Sequence, residues 1–172
     1  MFRMSLVPVA LAALVLAMPA TRAAAQAQSA YAEAVGACVA IIETGASPDP
    51  LFTAARLSPQ PTHEALKRFF YPDATDTRWY LRPLDQGAVR AVTSDSDRSC
   101  TVFLFGVQGT AINLQVSGRF SGWTRQDIDG AGVAYSRRNP KGELVVASVH
   151  DGPPTVKSEQ IGAMLKVYIL RR

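Results

Sequence analysis

Cys100-Thr101-Val102-Phe103-Leu104-Phe105-Gly106-Val107 is the most apolar stretch of the chain beyond its first 27 residues. A run of this length, rich in β-branched and aromatic residues, reads as a strand buried on both faces, hence a central strand. Its first residue is one of only two cysteines, the other being Cys38. Upstream, Tyr31, Ala34, Val35, Cys38, Ile41 and Ile42 recur at helical spacing. Ser29 can cap that helix and Gly45 stands where a C-terminal glycine is expected. Cys38 therefore lies on the apolar stripe of a helix, and a Cys38–Cys100 bond would staple that helix onto the sheet. The two cysteines are 62 residues apart, so closing the loop would contribute about 4 kcal/mol at the upper end.

Between these landmarks the chain breaks often. Asp49-Pro50 reads as an N-cap and the proline favoured at a helix start, opening a short helix to about Arg56. Ser58-Pro59-Gln60-Pro61 interrupts the chain. Thr62 then caps a second short helix with Leu66, Phe69 and Phe70 as its buried side, stopped by Tyr71-Pro72. Residues 78–84 and 88–93 read as strands joined near Asp85-Gln86-Gly87.

Downstream of the central strand, segment 110–122 supports two readings. Ile112, Leu114, Val116 and Phe120 alternate as in a strand, while Thr110 and Gly122 can cap and end a helix. Helix is preferred, because Gly118 would weaken a strand. Residues 132–138 and 143–150 form a hairpin around Asn139-Pro140-Lys141-Gly142. Residues 164–170 alternate Leu165, Val167 and Ile169 against Lys166 and Tyr168, a last strand with one wet face. The expected fold is α+β: an antiparallel sheet of five or six strands, helices packed on one face, and one disulfide.

The first 27 residues have the layout of a secretory signal peptide. A short basic start precedes an apolar run from Leu6 to Met18, and small residues then offer cleavage after Ala25 or Ala27. The apolar core is too short for a spanning helix, so no stable membrane insertion is expected after cleavage. Residues 28–172 are then a single exported domain of 145 residues, periplasmic or secreted. Arg3 and Arg22 leave with the leader, so 16 basic residues face 14 acidic ones. That near-neutral balance argues against nucleic acid as a partner.

Motifs for chemistry are thin. His63 and His150 lie 87 residues apart, and with both cysteines in a disulfide no metal site or cofactor is expected. No Gly-x-Ser-x-Gly elbow or phosphate-binding glycine loop occurs, so no catalytic residue is assigned. A hydrolase using His150 and Asp151 stays a minor alternative, weakened because neighbouring strand positions point to opposite faces. Recognition candidates are Trp79, Tyr80, Arg82, Trp123, Tyr135 and Arg137, since aromatics beside arginines suit a glycan, an acidic peptide or a partner protein. With Trp79 and Leu81 turned inward, Tyr80 and Arg82 are expected on a free face. The leading expectation is a non-enzymatic protein-interaction or inhibitor-like module whose partner is an unknown protein or envelope component. The alternative is a small-ligand or envelope-polymer binder that uses the concave sheet face with Trp79, Tyr135 and Trp123.

Overall fold

The structure is a computed structural model that describes residues 18–106, 117–128, 132–151 and 161–170. Helix α1 (Met18–Thr44) leads into the short helix α2 (Pro48–Ala54), strand β1 (Ser58–Gln60) and helix α3 (Glu64–Phe70). Strands β2 (Thr77–Pro83), β3 (Ala88–Ser94) and β4 (Ser99–Phe105) follow. A 3-10 turn at Ser117–Phe120 precedes β5 (Thr124–Ile128), β6 (Gly132–Arg138), β7 (Leu144–Asp151) and β8 (Ile161–Ile169).

All eight strands join one antiparallel sheet in the order β1-β2-β3-β4-β8-β7-β6-β5. Two four-stranded meanders therefore meet through their last strands, β4 and β8. The stretch around Cys100 is central as expected, and all seven residues of β4 are buried. The sheet has more strands than the expected five or six. The two additions, β1 and β5, are its edges, and every residue in both is exposed. Edge strands bury little apolar surface, so they carry little hydrophobic signal.

Packing of α1 follows from its composition. Small Ala and branched apolar residues line one side, and Ala27, Ala30, Tyr31, Ala34, Val35 and Cys38 are fully buried. They cover the sheet face formed by Val89 and Ala91 of β3, Val102 and Leu104 of β4, and Leu165 and Val167 of β8. Cys38 and Cys100 are bonded, with Cα atoms 5.4 Å apart. The helix ends where expected, because Gly45 adopts φ +74° and its N–H bonds the Ile41 carbonyl at 2.9 Å. Its start differs. The helix runs through Ser29, whose hydroxyl donates to Glu33 in the next turn instead of capping.

The helices do not share one face. α1 and α2 cover the face just described, here the helical face, while α3 covers part of the other, outer face. There Leu66, Tyr71 and Ala74 pack on Trp79, Val92, Phe103, Phe105 and Ile161 as a second small core. His63, not Thr62, caps α3, its Nδ1 accepting from the Leu66 N–H at 3.3 Å. Leu66 is buried as expected, but Phe69 is 58% exposed. Asp49 lies inside the first turn of α2 and is not its N-cap, a position held by Ser47. Of the segment 110–122, residues 110–116 lie outside the described residues, and Ser117–Phe120 is a 3-10 turn. Among the described residues no helix is long and apolar enough to cross a membrane.

Candidate functional site

Strand register fixes which side chains share the outer face. On β8 these are Met164, Lys166 and Tyr168, because Leu165 and Val167 belong to the core beneath α1. The register sets Lys166 between Thr101 of β4 and Ser148 of β7, and Met164 between Phe103 and His150. Tyr168 falls between Ser99 and Val146. Asp97, Ser148, His150, Met164, Lys166 and Tyr168 line a shallow depression of about 600 Å3.

Tyr71, just past α3, forms one wall of this neighbourhood. Its hydroxyl hydrogen-bonds to the Thr101 hydroxyl, and the Lys166 ammonium lies 5.0 Å from its ring centroid. Burial pushes the Tyr71 hydroxyl above its ordinary range, outweighing the hydrogen bonds that would lower it. The ring therefore stays a neutral phenol beneath the cation. Among the described residues no carboxylate forms an ion pair with Lys166. A cation, a phenol, an imidazole and a hydroxyl are thus held on rigid strands beside Met164. That set can accept an acidic or hydroxylated group next to an apolar one.

A second cavity, about 490 Å3, lies between the C-terminal end of α1 and the β3–β4 hairpin, bordered by Ile41, Pro48, Arg78, Asp95 and Arg98. Its arginines are already engaged. Arg78 pairs with Asp95 and Arg98 with Glu143, each at 2.7 Å.

Residues singled out in the sequence divide three ways. Trp79 is buried on the outer face under α3, its indole N–H donating to the Thr77 hydroxyl at 3.0 Å. Tyr80 and Arg82 correct the expected face assignment, because both sit beneath the helices. The Tyr80 ring packs 4.4 Å from Phe52, its hydroxyl donates to Asp49 at 2.6 Å, and the residue is 2% exposed. Burial first, then the Asp49 carboxylate, raises its ionisation well above the ordinary range. Arg82 donates to Glu33 of α1 at 2.7 Å and to the Ala55 carbonyl at 3.1 Å.

Trp123, Tyr135 and Arg137 do come together, on the helical face. Phe120 stacks on Tyr135 at 4.8 Å and meets Trp123 edge-on at 5.1 Å. Arg137 lies 4.6 Å over the Trp123 ring and makes two hydrogen bonds to Glu43. Both aromatics are buried, so the group buttresses the end of α1. Trp79 and the pair Trp123–Tyr135 are on opposite faces and line no common concavity. Lys166 and Tyr168 were not singled out as site residues, although the alternation of the last strand already assigned them its wet face.

His150 lies in the depression. Asp151 pairs with Ala163 at the next strand position. Among the described residues no group of three or more His, Cys, Asp or Glu is placed to hold a metal ion. Comparison of the chain with protein-family models, curated proteins and solved structures gave no match.

Proposed function

We propose that the protein acts by non-covalent recognition, as an exported protein-interaction or inhibitor-like module, and that its partner docks on the outer face of β7 and β8. The observation that carries this reading is the column Met164, Lys166, Tyr168 with His150 beside it. It sets an aromatic ring and a thioether, groups that binding surfaces favour, beside a cation, on the strand next to the disulfide-bonded β4. A wide and shallow depression suits a protein segment bearing a carboxylate and an apolar side chain better than an engulfed small molecule. The hydroxyls flanking Lys166 in register favour a second reading, binding of a hydroxylated envelope polymer. The hydrolase built on His150 and Asp151 is a third.

The test compares capture by wild-type protein with capture by Lys166→Glu and Tyr168→Ala, using extract of the native envelope. Loss of one captured protein in both variants, with melting temperature nearly unchanged, supports the interaction module. Capture of polysaccharide instead selects the polymer reading. Equal capture by all three proteins would remove this face from consideration.

A further inference from the structure

We infer that β5 is a self-complementary edge through which two copies of this chain pair across a twofold axis. The sheet has two edges, and they differ. β1 is three residues long and contains Pro59, which has no N–H to offer a neighbour. β5 is five residues, Thr124-Arg125-Gln126-Asp127-Ile128, and among the described residues it pairs with β6 alone and is exposed throughout. Its other side therefore presents an open row of backbone donors and acceptors.

The order of side chains along β5 selects the occupant. In an antiparallel pairing of two β5 strands centred on Gln126, Arg125 of each copy faces Asp127 of the other. Thr124 likewise faces Ile128, and the two Gln126 amides meet at the axis. Both ion pairs lie on the helical face, because Arg125 and Asp127 stand in register with Tyr135 and Val133. Within one copy Arg125 and Asp127 already touch at 2.8 Å, so their geometry permits exchange from an internal to an intermolecular pair. Slipping the register to centre on residue 125 would oppose two arginines, and centring on 127 would oppose two aspartates. The charges therefore favour one register and oppose its neighbours. Ile128, one of few large apolar side chains exposed on the described surface, gains cover against Thr124.

Such an interface is isologous, and the twofold axis stands perpendicular to the sheet. Two eight-stranded sheets would run on as one, with α1 of both copies on the same side. A ladder of five residues is small, so the association is weak and depends on concentration.

Sedimentation velocity over protein concentrations up to roughly 1 mM reads the equilibrium directly. Wild type should pass from monomer to dimer. Arg125→Asp and Asp127→Arg should each weaken the dimer roughly tenfold or more, because each opposes two like pairs. The double variant Arg125→Asp/Asp127→Arg should restore it. Because every residue of β5 is exposed, all variants should keep the wild-type circular dichroism and melting temperature. A wild type that stays monomeric throughout, or single reversals that dimerise as wild type does, overturns the inference.

Discussion

Arg137 of β6 and Glu43 in the last turn of α1 are joined by two parallel hydrogen bonds of 2.5 Å, with the guanidinium resting on the Trp123 ring. The two residues are 94 positions apart in the chain, so the pair ties the first helix to the far half of the sheet. The carboxylate hydrogen bond raises the Arg137 ionisation above its ordinary range, outweighing burial, which would lower it. Glu43 is mostly buried and Arg137 is half exposed, so solvent screens part of the attraction. Arg137→Ala should cost about 1 kcal/mol or slightly more by chemical denaturation, since ring contact and fork geometry are lost together. Arg137→Lys should recover less than half of that loss, because an ammonium cannot reproduce the paired contact. Full recovery by lysine would show that charge alone matters.

The Cys38–Cys100 bond joins α1 to the second residue of the central strand β4. Either Cys38→Ser or Cys100→Ser should lower stability by a few kcal/mol, approaching about 4 kcal/mol if the unfolded chain is otherwise unconstrained. The double variant should be no worse than either single one, since both changes remove the same bond. Additive losses in a denaturant series would show that the two sites act separately. Alkylation of the unfolded, unreduced protein should label no thiol.

Tyr80 and Arg82 reverse the expectation drawn from alternation. Tyr80→Ala removes a ring packed on Phe52 and should cost about 3–5 kcal/mol. Tyr80→Phe keeps the packing and gives up only the bond to Asp49, a loss of about 1 kcal/mol. Arg82→Ala should release α1 from the edge of α2, because its guanidinium bridges Glu33 and the Ala55 carbonyl. A melting temperature unaffected by Tyr80→Ala would mean that the residue does not lie under α2.

Acid sensitivity follows from Glu33. Burial by itself would raise its ionisation, but hydrogen bonds from Arg82 and Ser29 and the charges of Arg82 and Arg56 bring it below the ordinary 4.5. A carboxylate whose folded value is depressed contributes stability that is present above the unfolded value and lost as pH falls through the folded one. Stability measured by denaturation should therefore decline as pH drops below about 4.5. In Glu33→Gln that part of the decline should be missing while the value at neutral pH is lower. A wild-type and variant pair with parallel pH profiles would rule out this linkage.

Long periodic segments were legible in the chain. The stripe from Tyr31 to Ile42, the unbroken run after Cys100 and the alternation of Leu165, Val167 and Ile169 each gave an element of the right type. The two strands that escaped share a cause. Ser58–Gln60 and Thr124–Ile128 are solvent-exposed edges, and hydrophobic periodicity is blind to strands that bury nothing. The outward direction of β2 was unreadable because Trp79 and Tyr80 are both buried, one under α3 and one under α2. Alternation separates two faces but does not say which is wet when both are covered. The site was half legible: the wet face of the last strand was read, but its neighbours Ser148 and His150 needed the register of β7 on β8.

The meeting of the two meanders at β4 and β8 has a consequence for how this protein comes into being. β8, which sits in the middle of the sheet, is the last of the described strands in chain order. The first half can assemble β1 to β4 early, yet it keeps an apolar flank uncovered until Ile161–Ile169 arrives to close the seam. The partnership of Cys100 with Val167 and of Ala147 with Val167 depends on that arrival. Completion of the sheet thus waits on a strand distant in sequence from the half it closes. A chain stopped at residue 160 should leave the two halves unjoined and prone to aggregate, whereas the full chain should resist protease across the β4–β8 junction.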